Sequence, residues 1–483
     1  MHSSKLDVMK RYFQNKYFIF WILLLSLIVR LLYLLFDWPL WWDSHLHVLM
    51  GKYIFSSGAL GIFEYFRAPL FPIVLGFFWK IGFDPFFMGK VLDVTLSLLC
   101  VYLTYLIGKK IFDEQIGLLS AFLLSLTPIF ISITGLILAD PLALALGLLG
   151  MYIIIRKENF MSSFLGGVLL SFSFLARFPC GIWFFATLLC FLLLQSSFKE
   201  KLKKSSAIIA GFLLIQLPYL YFNYVHFNNP LKPFITGSYL ATTATWLFGG
   251  GSFYYFREFF IGLPIYLFFF VGLYLAWKEK WYKHKQKLLV ILIPLLTILY
   301  FIYLPRKEVR YMLIALPFFS MVCAYTLRTI YLKLKMQQKP FVRPQAFVVI
   351  CILLLLLPYP STLAFERTPT FEKETKEIIL AHNVQGPIVT TNPGFISSFD
   401  LPFVTLDGAV YAAKKYEDVK EKYDLMIIDD CDLLCNPSDA ACLDKKKVIL
   451  SKIKEENKEV FSKNFYLRLT KEICLYSVYV PLK

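Results

Sequence analysis

Apolar runs long enough to cross a lipid bilayer recur from residue 17 to residue 363. A crossing takes about 20 mostly apolar residues. No backbone group can stay unpaired in lipid, so such a run folds as a helix or as one strand of a closed barrel. Runs of this length without strict alternation specify helices. The stretches are 17–36, 88–108, 116–138, 141–155, 160–176, 179–195, 205–225, 259–277, 286–304, 311–331 and 345–363, about 11 crossings by that length rule. The fold class expected is a polytopic α-helical membrane protein. Only 17% of the 483 residues are charged, against about 25% in soluble domains.

Basic clusters orient the crossings. Lys5, Lys10, Arg11 and Lys16 precede the first run, and Lys109-Lys110, Arg156-Lys157, KEKLKK, KEKWYKHKQK and KLKMQQK follow later ones. Short cytoplasmic loops carry such lysines and arginines. The net charge, 50 − 33 = +17, is explained by these clusters, and no nucleic-acid partner is expected. The first run is too long for the apolar core of a signal peptide, and no A-x-A site follows it. Segment 68–83, APLFPIVLGFFWKIGF, is apolar but short and holds two prolines. It is expected to lie along the outer surface, because counting it as a span would put Lys109-Lys110 outside. Asp43, Arg67, Asp140, Arg177 and Arg310 then all fall on the outer side.

Composition shifts near residue 364. The membrane domain is expected over 1–363 and a soluble α/β domain over 364–483, on the outer side by the same parity. Its strand-like runs PIVTTN, DLMIIDD and CLYSVYV alternate with helical TKEIILAHN and LDKKKVILSKIKEENKEVF. Cys431, Cys435, Cys442 and Cys474 lie there. In an oxidising exterior they form two disulfides, with three pairings open. A metal site is the alternative, but CDLLC lacks C-x-x-C spacing. Cysteines inside the spans read as core residues.

Four short motifs bear ionisable residues where apolar ones would be expected. WPLWWDSHLH follows the first run, and there Asp43 reads either as a functional acid or as a helix N-cap, beside tryptophans that anchor at the interface. EYFRAPLFP holds Glu64 and Arg67, the latter a planar fork suited to phosphate or a snorkelling interfacial side chain. ILADP isolates Asp140 before a proline, as functional acid, helix start, or both. LPRKEVRYMLIALP gathers Arg306, Lys307, Arg310 and Tyr311, cations on a side where the charge rule disfavours them. Asp43, His45 and His47 form D-x-H-x-H, which chelates a metal only from an extended strand. The segment 226–260, rich in Gly and aromatics, reads as a mobile loop or a plain connector; its GGGS is no phosphate loop.

In order and spacing these motifs resemble the GT-C glycosyltransferases, nearest to the protein O-mannosyltransferases and the aminoarabinose transferase of lipid A. The resemblance covers about residues 15–330. It implies a sugar donor carried on a polyprenyl monophosphate, no cofactor with divalent metal left open, and inversion at the sugar. Asp43 matches the first-loop catalytic Asp, Arg67 the [RK]-x-P motif, Asp140 the second-loop Asp, and Arg310-Tyr311 the late R-Y motif. Many relatives read D-E where this chain has Asp43-Ser44, and Glu64 is a candidate substitute. The WWD triplet is similar to part of an oligosaccharyltransferase signature, but that signature belongs in the soluble tail.

The residue types suit this chemistry. Asp43 can serve as general base for an acceptor hydroxyl of a protein, lipid or glycan. Arg67, Arg306 and Arg310 can hold the departing phosphate. Glu64, His45, Asp140 and Tyr311 complete the candidate substrate site. One base with no partner nucleophile fits an inverting displacement. No ER-retrieval signal is present, which points to a cell membrane. A lipid or sugar transporter is the alternative class, but neither repeated halves nor mid-membrane charges are visible. An oligosaccharyltransferase with a pyrophosphate donor is the alternative within enzymes.

Overall fold

The computed structural model describes residues 17–36, 40–157, 159–194, 197–242, 249–337, 342–359, 371–406, 409–419, 422–467 and 472–482. It divides into two compact units: residues 1–36, 65–71 and 90–365, and residues 37–64, 72–89 and 366–483.

The first unit is helical, and every apolar stretch read from the sequence contains a helix. Four helices are long and apolar enough to cross a membrane: Pro85–Ile111, Phe198–Phe227, Lys285–Tyr303 and Val309–Met336. Others are interrupted. The expected span 116–138 runs as Glu114–Ser125, breaks at Thr127-Pro128, and resumes as Pro128–Ser132. Proline has no N–H to continue the ladder, so carbonyls just before it lose their partners. Buried side chains supply replacements. Arg30 Nη1 donates to Ser125 O at 3.3 Å, and Tyr359 Oη donates to Leu126 O at 2.7 Å. Arg30 is fully buried, lies 5.0 Å from the Phe130 ring centroid and also donates to Ser26 Oγ. Irregular backbone is tolerated at membrane depth when protein groups satisfy it in this way.

The stretch 259–277 begins irregularly too, as a π turn Phe256–Ile261 and a 3-10 turn Pro264–Leu267 before the helix Phe268–Lys278. Tyr266 ties that region down through Thr127 Oγ1 at 2.6 Å and Ser320 Oγ at 3.0 Å. Helix Phe160–Ala176 packs against Asp140–Lys157 and Phe198–Phe227. A Cβ at Gly167 would stand 2.2 Å from Ile208 O, and one at Gly211 would stand 2.1 Å from Phe164 O. Only glycine permits that approach, the kind of close packing that holds helices together in lipid. Within 226–260 lies a short helix, Lys232–Leu240; residues 243–248 lie outside the described residues.

The second unit is built on a five-stranded sheet of order β2-β1-β3-β5-β4, with β1 Ile388–Thr390, β2 Phe403–Thr405, β3 Leu425–Asp429, β4 Asn457–Leu467 and β5 Glu472–Pro481. The first three strands run parallel and β5 pairs antiparallel with both β3 and β4. Alternate residues of β3 face opposite sides. Met426 and Ile428 pack with Tyr416, Ile449 and Ile453, whereas Leu425 and Ile427 pack with Phe371, Ile379 and Tyr476. Both faces of this mixed sheet are therefore covered, as its parallel strands require. The helical reading of KIKEENKEVF ends sooner than expected. Helix Ala440–Glu456 stops, and Asn457 onward forms β4 because its backbone pairs along the length of β5. Disulfides join Cys431 to Cys474 and Cys435 to Cys442, which selects one pairing of the three and removes the thiolates from any metal site. Cys100, Cys180, Cys190 and Cys323 are free and buried.

Two helices from the front of the chain contribute to this unit, Trp42–Phe55 and, from Pro72 onward, Leu70–Lys80. The latter has 11 residues, about 16 Å at 1.5 Å per residue, far short of the about 30 Å of hydrocarbon. It crosses Trp42–Phe55 where two glycines meet: a Cβ on Gly76 would lie 2.5 Å from Gly51 O.

Candidate active site

In the first unit the late motif folds around one carboxylate. Helix Lys285–Tyr303 ends, Pro305 follows, and the chain re-enters as a 3-10 turn Val309–Ala315. Glu308 sits between them. Arg306 Nε donates to its Oε1 at 2.7 Å, Tyr311 Oη donates to the same oxygen at 2.9 Å, and Arg310 Nε pairs with its Oε2. Glu308 was not among the residues singled out from the sequence, although an acid set between Arg306-Lys307 and Arg310 is the available signal. Lys307, read as part of the cationic cluster, turns the other way. Its ammonium donates to Phe301 O at 2.9 Å, Ile302 O at 2.6 Å and Leu304 O. It caps the preceding helix, a place where orphan carbonyls favour a cation.

Asp140 opens helix Asp140–Lys157 and forms an ion pair with Arg177, the extended residue that ends helix Phe160–Ala176. Asp140 is 2% exposed and the Arg177 side chain 14%. Helix start and arginine partner thus hold together, as the sequence allowed. The Arg177 guanidinium lies 5.8 Å from the Tyr311 ring centroid, which links the two motifs. The joined set holds three guanidiniums (Arg177, Arg306, Arg310) and two carboxylates (Asp140, Glu308), 3 − 2 = +1. Phosphate is recognised by arginines arranged in this manner.

A further acid was missed. Asp93 lies inside helix Pro85–Ile111, is fully buried, and its Oδ2 accepts the Ile137 N–H at 2.7 Å. Ile137 holds φ +56° and Gly135 φ +85°. A β-branched residue in the left-handed region is a true outlier. Asp93 holds that bend three residues before Asp140. A lone acid inside an apolar run is the signal that marks it.

Arg67 also lies in the first unit, with its guanidinium 5.8 Å from the Phe66 ring centroid. The ring of its neighbour Tyr65 lies 4.8 Å from that of Phe227, tilted by 37°, and its hydroxyl stands 3.3 Å from Thr236 Oγ1.

Asp43, His45 and Glu64 lie in the second unit. Helix Trp42–Phe55 takes Trp41, not Asp43, as its N-cap, and the Trp41 N–H donates to Ser44 Oγ at 3.2 Å. Asp43 therefore sits in the first turn, where the helix dipole favours a negative charge, and capping does not account for it. Ser44, the position where the resemblance leads to a second acid being expected, does cap. D-x-H-x-H is wound into this helix, so Asp43 and His45 diverge by roughly 200°, and the extended chelate geometry is absent. Asp43 and His47, four apart, share a face. His45 is 7% exposed, with Nδ1 2.7 Å from Ser397 Oγ and its ring 5.9 Å from Phe86. Burial lowers its pKa to about 4, so the ring is neutral at ordinary pH.

Residues 67–222 match the family model described as dolichyl-phosphate-mannose-protein mannosyltransferase. That segment carries Arg67, Asp93, Asp140 and Arg177. Among solved structures, ArnT from Cupriavidus metallidurans bound to undecaprenyl phosphate aligns at TM-score 0.65 and 10% identity, over 100% of this chain and 99% of that one. The apo oligosaccharyltransferase of Archaeoglobus fulgidus aligns at TM-score 0.62 and 11% identity, over 97% of this chain and 75% of that one. The archaeal oligosaccharyltransferase AglB from Archaeoglobus fulgidus, in complex with an inhibitory peptide and a dolichol-phosphate, aligns at TM-score 0.58 and 12% identity, over 97% of this chain and 75% of that one. No curated protein matches the sequence significantly. The family model carries a resemblance to protein mannosyltransferases over residues 67–222, and the solved structures carry the fold. Fold and apolar helices together make this a multi-pass membrane protein.

Proposed function

We propose that this chain is an integral membrane glycosyltransferase that moves a sugar from a polyprenyl monophosphate donor to an acceptor hydroxyl. The observation that carries the reading is the arginine set of Arg177, Arg306 and Arg310, organised by Asp140 and Glu308 within a shared GT-C fold. The ArnT neighbour binds undecaprenyl phosphate, which supports a lipid phosphate as the anionic ligand. On this reading the membrane domain is 1–363, with about eleven spans, the soluble domain is 364–483, and both the site and the tail face the extracytoplasmic side.

The reaction is a single displacement. The acceptor oxygen forms a bond to the anomeric carbon while its proton passes to Asp43. The bond from the anomeric carbon to the phosphate oxygen breaks, and its electron pair leaves with the polyprenyl phosphate. Arg67, Arg306 and Arg310 offset the charge that grows on that phosphate. Asp140 acts through Arg177, and Tyr311 presents its ring beside them. Glu64 completes the acceptor side. Configuration inverts because only one displacement occurs. A pyrophosphate donor, as in an oligosaccharyltransferase, is the alternative that metal dependence distinguishes.

Transfer of radiolabelled sugar from polyprenyl-phosphate mannose and its glucose counterpart tests the proposal, using membranes with wild type or Asp43→Asn, with and without EDTA. EDTA-resistant transfer that vanishes in the variant supports it. Loss with EDTA favours the pyrophosphate reading. A folded Asp43→Asn protein with wild-type transfer removes Asp43 from the chemistry.

A further inference from the structure

The tail grips the helix that carries Asp43, and does so with directional bonds. His45 Nδ1 lies 2.7 Å from Ser397 Oγ. Seven residues on, the ammonium of Lys52 donates to Ser397 O at 2.9 Å and to Phe399 O at 3.1 Å, and pairs with Asp400 at 2.8 Å. An ammonium has three hydrogens, and this one meets three acceptors. Lys52 is only 2% exposed, so a cation is buried with its bonds complete, the condition under which burial is tolerated. Asp400 also accepts the Trp79 indole N–H at 3.3 Å, which ties in helix Leu70–Lys80. Gly394 leaves room for the His45 ring: a Cβ there would sit 3.2 Å from Cδ2.

The helix phase gives these contacts a use. At about 100° per residue, positions seven apart return to nearly the same face. His45 and Lys52 therefore form one docking face. Asp43 stands roughly 200° from His45 and roughly 180° from Lys52 on the same count. The tail holds one side of the helix, and the carboxylate leaves from the other.

We propose that residues 394–400 of the tail, acting on His45 and Lys52, are a rotational clamp that aims Asp43. Ser397, Asp400, His45 and Lys52 are then positioning residues. A helix held only by apolar packing can slip in rotation; one held by a hydrogen bond at one turn and a three-bond ammonium two turns later cannot. This gives the soluble tail a part in the reaction without its touching substrate. The inference rests on Asp43 as base.

The test uses the full-length protein in membranes, with Asp400→Asn, Ser397→Ala, Lys52→Met and Lys52→Arg. Two quantities are read: kcat and donor KM with undecaprenyl-phosphate mannose, and hydrogen–deuterium exchange over residues 42–55. Misplacement near 1 Å costs about a hundredfold in rate. Lys52→Met is expected to lower kcat by about that factor and Asp400→Asn by about tenfold, with KM changed by less than about twofold. Lys52→Arg is expected to recover part of kcat, and exchange in 46–52 to quicken in the damaging variants. Asp400 is half exposed, so its asparagine variant keeps the fold if Lys52→Met does not. Unchanged exchange overturns the clamp. Faster exchange with wild-type kcat overturns its role in catalysis. If Asp43→Asn itself transfers normally, the base assignment fails separately, and exchange alone decides whether the clamp exists.

Discussion

Asp93 Oδ2 takes the backbone N–H of Ile137 at 2.7 Å, across 44 residues of sequence. That bond sits under a left-handed isoleucine, a conformation that costs an L-residue about 1–2 kcal/mol. It is followed within three residues by Asp140. Asp93→Ala strands a buried amide, at about 1–3 kcal/mol, and frees the bend. The expected outcome is a thermal midpoint several degrees lower and transfer reduced about tenfold or more. Asp93→Asn keeps an acceptor oxygen and is expected to retain most activity. Equal loss in both variants would point to the charge rather than the bond.

Asp140 and Arg177 are both largely buried, so removing either alone strands a charge. Each single alanine variant is expected to cost about 3–5 kcal/mol, and the double variant less than their sum. Denaturation of the purified variants in detergent measures all three. Strict additivity would mean that the two do not act as a pair.

The late motif separates two kinds of cation. Arg310 is the less exposed of the Glu308 partners, 13% against 32% for Arg306. Charge-assisted bonds are worth about 1.5–3 kcal/mol, so Arg310→Gln is expected to raise donor KM about ten- to a hundredfold, with Arg306→Gln lower in that range. Lys307→Met is expected to leave KM near wild type and to lower stability, because its ammonium caps a helix. A KM rise in Lys307→Met equal to that in Arg310→Gln would place all three on the ligand.

Buried acids give the tail a pH dependence. Burial raises the Asp429 pKa from 3.8 to about 6, and burial beside Asp429 raises Asp432 well above its ordinary value. A carboxylate raised in the folded state holds its proton there longer than in the unfolded chain. The contribution is full below about pH 4 and is lost as pH rises through about 6. Asp432→Asn is expected to flatten that decline and to stabilise the tail at pH 7–8. Melting of the tail's signal from pH 4 to 8 reads it directly; a variant as steep as wild type would remove these acids as the cause.

Local pattern carried the helices and most strands, because apolar runs and alternating valines and isoleucines constrain their own neighbourhoods. The break at Thr127-Pro128 was visible as a proline but not as a break, since its support comes from Arg30 and Tyr359 at distant positions. The strand beginning at Asn457 was hidden because LSKIKEENKEVF keeps helical spacing until pairing with β5 overrides it. Four of the candidate residues, Asp140, Arg306, Arg310 and Tyr311, came together in one linked set of side chains. Their organisers, Arg177 and Glu308, did not stand out as such, because an arginine at a helix end and an acid among basic residues each have ordinary explanations. Nothing local announced that residues 42–55 rest on a loop more than three hundred residues later.

The buried guanidinium of Arg30 also sets a schedule. Its Ser26 partners lie one helical turn away, but Ser125 O is 95 residues downstream. An arginine lodged in lipid costs about 2.5–3.5 kcal/mol when its helix is alone, and chains grow at about 5–20 residues per second. For several seconds of synthesis the first helix is therefore a poor guest in the bilayer. Nascent chains arrested before residue 125 should be extracted by alkaline carbonate more readily than chains arrested after it, and Arg30→Leu should abolish the difference.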